Sequence, residues 1–142
     1  HGSITGLYTV LVEGDDMNEP VADHARAILD GHCVLSRSLA HRGHYPAIDV
    51  LESVSRLATE ITSDEVREAA TTLRETLAVH RAKEDLISIG AYSAGTDPRV
   101  DYAIAKLPEL QAFLRQGVDE AADAELTDAQ LVELMADASV TA

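Results

Sequence analysis

Apolar and polar residues follow two different rhythms along this chain. From Ser3 to Val12 the run SITGLYTVLV is rich in Ile, Val, Tyr and Thr and stops at the acidic EGDD, the pattern of a strand leading into a loop. HCVLS, residues 32 to 36, is a second short apolar run behind Gly31. Between them, EPVADHARAILDG puts Val21, Ala25, Ile28 and Leu29 on one face of a helix, with Pro20 early and Gly31 late. Strand, helix, strand is the building unit of a mostly parallel sheet covered by helices. Two strands and one helix do not close an α/β domain, and the edge beginning at His1 has no neighbour to bury it. The expectation is therefore the end of a larger unit.

From Thr62 onward the rhythm is helical. Thr62 followed by Glu65 fits a capping box, and Val66, Ala70, Leu73, Leu77, His80, Glu84 and Ile87 fall on one face. This spacing predicts a helix over residues 64 to 89, stopped by Gly90. YSAGT then reads as a turn, with Asp97 as N-cap and Pro98 in the first turn of the next helix. Pro108 is expected to split that segment into two short helices, and the last helix is expected to start at Thr127, with Gln130 three residues on. The change of rhythm predicts two parts, residues 1–58 and 59–142, packed together, although no Pro/Gly/Ser linker marks the join.

Composition narrows the classes. With 142 residues, 46% hydrophobic and 25% charged, the chain is an ordinary folded one, outside the disordered and fibrous classes. Acidic side chains number 25 against 11 basic ones, a formal charge of −14 without a basic stripe, so nucleic acid is not an expected partner. That acidity suits a basic protein partner or simple solubility. A lone cysteine, Cys33, and the absence of a charged-then-apolar leader lead to the expectation of a reducing cytoplasm. The apolar runs are far shorter than the roughly 20 residues of a membrane span.

Each candidate side chain has a plain and a sharp reading. Tyr45-Pro46 is a rigid turn with a half-buried ring, or a flat aromatic face for a base. Arg56 is a solvated surface residue, or a planar cation offered to a phosphate. The loop EGDDMNE, residues 13 to 19, is a solvated acidic loop or a magnesium site. His24, His32, His41, His44 and Cys33 lie close in sequence, but no paired metal-ligand frame appears and no metal is expected there. Cys33 is expected in the core, and His80 in the core or at its boundary with a hydrogen-bonding partner. Neither a GxSxG elbow nor a GxxxxGK[ST] loop occurs, so a serine nucleophile and a phosphate loop are both missing from these residues.

Taken in order, GSITGLYTVLVEGDDMNEPVADHARAILDGHCVLSR, HYPAIDVLESVSR, EDLISIGAY and DPRVDYAIAKLPELQAFLRQ resemble the C-terminal part of the type III secretion export ATPases, over residues 2 to about 118. EDLISIGAY followed by GTDPRVDYAI is most similar to the flagellar branch. These enzymes are relatives of the F-type ATP synthase β subunit. The resemblance implies an α/β remnant of a RecA-like nucleotide domain, about two strands plus helices, followed by an all-α C-terminal helical domain. It further implies that the chain starts after the phosphate loop, is inactive alone, and belongs to a homohexameric parent using ATP and Mg, with neither expected bound to this part by itself. Arg56, closing SVSR, is similar to an arginine finger acting in trans, and Tyr45 to the tyrosine that stacks on adenine. Where the F-type relative lines its adenine pocket with an aromatic residue, this chain has Val118 after Gly117, which implies a looser pocket. Two loops match surfaces facing a coiled-coil stalk: the turn at residues 90 to 98, and EGDDMNE, with Asp15, Asp16 and Glu19 as the expected contacts. Export substrates and chaperones are expected on the helical domain, and the location is cytoplasmic, reaching the inner membrane only through the export apparatus. The alternatives are a helical module that docks stalk, substrate or chaperone, a virulence secretion ATPase, or an F-type β subunit.

Overall fold

A strand needs a neighbour for its backbone donors and acceptors, and the first apolar run has none here. In the structure, a computed structural model that describes residues 2–138, residues 2–12 form no regular element, and Ile4, Leu7 and Leu11 are 100%, 96% and 91% exposed. The expected first strand is thus corrected: its residues carry strand propensity but no pairing partner. His1 and residues 139–142, the two ends of the predicted parts, lie outside the described residues.

Helix α1 (Pro20–Ile28) forms where expected, its first turn opened by Pro20 and capped by the Glu19 carboxylate, which accepts from Ala22 N–H at 2.9 Å. Its predicted apolar face is only partly covered: Ala25 and Leu29 are half-buried, while Val21 and Ile28 are exposed. Strands β1 (Gly31–Leu35) and β2 (Ile48–Ser55) then pair antiparallel, which corrects the parallel sheet expected from strand-helix-strand order. The partner of β1 is the apolar stretch of HYPAIDVLESVSR. A short helix, α2 (Arg37–His41), and a cis Tyr45-Pro46 turn reverse the chain between the two strands. Gly31 faces Ser55 and His32 faces Val54, then Val34 faces Asp49 and Leu35 faces Ile48, so residues 50–53 bow out of the ladder. Cys33 on β1 is exposed, not a core side chain.

After a single turn, α3 (Ala58–Ile61), the long helix α4 runs Asp64–Ser88. Its cap is Ser63, whose hydroxyl accepts from Val66 N–H at 3.3 Å, and not Thr62, whose hydroxyl donates to the Ala58 carbonyl and so closes α3. Leu73 is buried on its inner face and His80 half-buried at the boundary. Helix α5 (Pro98–Phe113) starts as predicted, with the Asp97 carboxylate accepting from Arg99 N–H at 3.0 Å. It continues through Pro108 without splitting. That proline stands on the exposed side, while Val100, Ala103, Lys106 and Leu110 bury the opposite face, a packing gain that outweighs the roughly 3 kcal/mol proline penalty. Helix α6 (Ala124–Met135) starts earlier than the expected Thr127, because the Asp123 carboxylate accepts from Leu126 N–H at 3.0 Å and Thr127 bonds back to the Asp123 carbonyl.

Ala69 and Leu73 of α4, Leu110 of α5 and Met135 of α6 make one core, against which Val50 of β2 packs from the sheet side. Beside it, buried Lys106 is held at 2.8 Å by Glu109 and at 3.0 Å by Asp137, whose other oxygen accepts from the Tyr102 hydroxyl. The Lys106 hydrogen bond holds the Asp137 carboxyl below the usual carboxylate value, so this clasp of the turn after α6 onto α5 is intact above the ordinary carboxylate range and is lost as pH falls below it. Among the described residues no helix is long and apolar enough to cross a membrane.

Candidate functional site

Gly43, with φ of 68°, lets the chain leave α2 and fold back, so that His44 N–H donates to the Leu39 carbonyl at 3.0 Å. His44 is buried, 6% exposed, beside the end of α5. Burial lowers its pKa below the ordinary histidine value; the Arg115 charge adds to this, and a hydrogen bond with the Leu114 backbone opposes it. Its neighbour Tyr45 points outward, 58% exposed, and its carbonyl accepts from Gln116 N–H at 3.0 Å. That bond ties the aromatic turn to the segment after α5, which holds Gly117 and the fully exposed Val118. Tyr45 and the Val118 segment are thus brought next to each other.

A histidine kept neutral by burial has a consequence for stability. Between its lowered folded value and the ordinary 6.5, the unfolded chain binds a proton that the folded chain does not, so stability falls as pH drops through this window. We expect the urea midpoint of this chain to decline from about pH 7 to about pH 5, and His44→Gln to flatten that slope. An equal decline in the variant rules out His44 as its source.

Arg56 follows the last residue of β2. Its backbone N–H donates to the Asp30 carbonyl at 2.8 Å, and its Nη2 donates to the Arg26 carbonyl at 3.1 Å, near the end of α1. The residue is exposed, so the guanidinium is not sequestered in the core. Tyr45 and Arg56 therefore stand just beyond opposite ends of the same strand. Asp15, Asp16 and Glu19 share one loop, opened by a 3₁₀ turn over Glu13–Asp15. Asp15 pairs with Arg37 at 3.2 Å, Asp16 accepts from Asn18 N–H at 2.9 Å, and Glu19 caps α1, so each acid also has a local structural task. The turn after α4 is held by Asp101, which accepts from the Tyr92 hydroxyl at 2.9 Å and from Gly95 N–H at 2.8 Å.

Among the described residues, no three His, Cys, Asp or Glu side chains gather as a metal site. Tyr45 and Arg56 present an outward aromatic ring and an accessible guanidinium. Sequence reading passed over Asp49 and Arg81, an acid with an 11% exposed side chain joined to an arginine of α4 at 2.8 Å. The one trace it leaves is a carboxylate set among apolar residues in PAIDVL.

A two-stranded sheet with its helices, followed by an all-helical domain, is the fold this chain shares with the type III secretion ATPases and ATP synthase subunits. Residues 1–55 match the ATP synthase alpha/beta family nucleotide-binding domain, and residues 62–133 match the T3SS EscN ATPase C-terminal domain. The chain belongs to the type III secretion ATPase family, with the expected α/β remnant followed by an all-helical domain. It is 54% identical over 134 residues to the SPI-2 type 3 secretion system ATPase of Salmonella typhimurium, covering 94% of this chain and 31% of that protein. It is 51% identical over 134 residues to the flagellum-specific ATP synthase of Bacillus subtilis, with the same coverage of 94% and 31%. The assembled ATPase EscN of enteropathogenic E. coli superposes with a TM-score of 0.88 at 41% identity, over 94% of this chain and 32% of that one. EscN in complex with its central stalk EscO gives 0.75 at 37% identity, over 81% and 28%. The chain thus spans about a third of the length of these relatives.

Proposed function

We propose that this chain is the C-terminal part of an ATPase that energises flagellar type III protein export, working as a homohexamer with ATP and Mg in the whole protein. The observation that carries the reading is the placement of Tyr45 and Arg56 beyond opposite ends of one strand, in a chain that matches the family on both sides. In a ring of like subunits they are free to serve two nucleotides: Tyr45 stacks on the adenine of its own subunit and Arg56 reaches the triphosphate of the next. Arg56 then stabilises the charge that spreads over the transferred phosphoryl group. Val118 contributes a small apolar wall to the adenine pocket and no ring. By itself the chain lacks a phosphate loop and is inactive.

The division into residues 1–58 and 59–142 belongs to the same reading and is supported by the gap between the two family matches, residues 56 to 61. Asp15, Asp16 and Glu19, together with the turn at 90–98, face a coiled-coil stalk whose basic residues complement the acidic loop; the solved EscN–EscO complex supports a stalk partner. Export substrates and their chaperones meet the helical domain, in the cytoplasm beside the inner-membrane export apparatus. One experiment tests hydrolysis and docking together: ATP turnover and stalk binding are measured on the whole ATPase, on this chain alone, and on the whole ATPase carrying Asp15→Asn, Asp16→Asn and Glu19→Gln. The chain alone gives no turnover, and the triple variant loses at least about tenfold in stalk affinity. Turnover by the chain alone rejects its inactivity without the rest of the ATPase, and unchanged affinity rejects the docking loop.

A further inference from the structure

Strand β2 does not run straight into Arg56. The bow at residues 50–53 is built from specific bonds. Asp49 Oδ1 accepts from Leu51 N–H at 3.0 Å and from Glu52 N–H at 3.3 Å. The Ser53 hydroxyl donates to the Asp49 carbonyl at 2.6 Å and accepts from Val34 N–H at 2.9 Å, bridging the bow to β1. Helix α4 then grips the bow from outside. Arg81 Nη2 lies 2.8 Å from both oxygens of Asp49, Arg81 Nη1 lies 3.6 Å from Glu52, and Arg74 Nη2 donates to the Ser53 carbonyl at 3.2 Å. Val50, inside the bow, packs on the helical core. The grip ends at Ser53, three residues before Arg56.

We propose that Arg81 and Arg74 are positioning residues for the arginine finger: through Asp49 and the Ser53 carbonyl they hold the bow, and thereby set how far the Arg56 guanidinium reaches. This rests on the reading of Arg56 as a finger. Arg74 and Arg81 stand midway along the 25-residue α4, whose last residue, Ser88, leads into the turn at 90–98, so the helical domain and the finger are joined by a single rod. Displacing a reacting group by about 1 Å costs on the order of 10²-fold in rate, so a bow that relaxes even slightly is felt in turnover.

The test is made on the whole ATPase. Arg81→Ala lowers kcat about tenfold or more while KM for ATP stays within about twofold, and Arg81→Lys, with a point charge in place of the fork, recovers only part of the loss. In an Arg56→Ala background, followed in single turnover, Arg81→Ala costs less than about twofold, because it acts through a group already removed. Asp49→Asn keeps an acceptor for the Leu51 and Glu52 N–H groups and removes the charge, so it serves if Arg81→Ala does not fold, and it shows the same kcat loss. An equal loss with and without Arg56, or full turnover in Asp49→Asn, overturns the positioning role and leaves the finger standing. Unchanged turnover in Arg56→Ala alone overturns the finger and this inference with it.

Discussion

Arg56→Ala in the whole ATPase is expected to lower kcat by about 10³-fold or more while ATP affinity stays within about threefold. The asymmetry follows from when the interaction forms. The ground-state triphosphate is already neutralised by the groups that grip it, and a guanidinium entering from a neighbouring subunit adds most as negative charge moves during transfer. Arg56 has the exposure for this, and its Nη2 contact is with one backbone carbonyl rather than a carboxylate, so its charge is available to a new partner. Supply in trans has its own signature. In rings mixed from normal and Arg56→Ala subunits, each variant subunit silences the site beside it and keeps its own, so turnover declines with neighbour pairs rather than with variant fraction alone. Tyr45→Ala reverses the pattern: stacking is worth about 1 to 3 kcal/mol, so KM for ATP rises about five- to a hundredfold with kcat little changed. Normal turnover in Arg56→Ala rejects the finger outright.

How much of this was legible beforehand depends on whether a feature is local. The start of α5 at Asp97-Pro98 and the place of Leu73 on the inner face of α4 were readable from capping and 3.6-residue spacing, whereas Ala69 and Thr76, buried beside Leu73, were not. Pairing was not. Ile4, Leu7 and Leu11 have strand chemistry but no partner, while the partner of β1 lay in a segment where a bow of four residues breaks the period-two alternation. Helix starts slipped where two caps compete: Ser63 beside Thr62, and Asp123 ahead of Thr127. Pro108 misled because a proline's cost is local, while the burial opposing it, of Val100 through Leu110 on the same helix, depends on packing against α4 and α6. Tyr45 and Arg56 are unremarkable surface types taken singly, and only the blocks HYPAID and SVSR around them made them candidates. Asp49 and Arg81 are 32 residues apart, and no spacing rule joins them.

Leu110→Ala is expected to destabilise this chain by about 2 to 5 kcal/mol, a large part of the roughly 5 to 15 kcal/mol that holds a domain together. Leu110 is 0% exposed and meets α4 through Ala69 and Leu73 and α6 through Met135, so its removal opens a void shared by three helices. The site is poorly able to collapse into that void: Pro108 stiffens α5 just before it, and the Lys106–Asp137 clasp holds α6 at a fixed distance. Leu126, 58% exposed on the same last helix, is the control, and its exchange for alanine shifts stability by no more than about 0.5 kcal/mol. Urea unfolding followed by circular dichroism reads both. Because α6 is about half the length of α4, and packs on this core through Met135 with a further tie from the exposed Asp137 carboxylate to Lys106, its amides lose exchange protection before those of α4. A loss below about 1 kcal/mol, or protection lost first in α4, means that the three helices do not converge on this side chain.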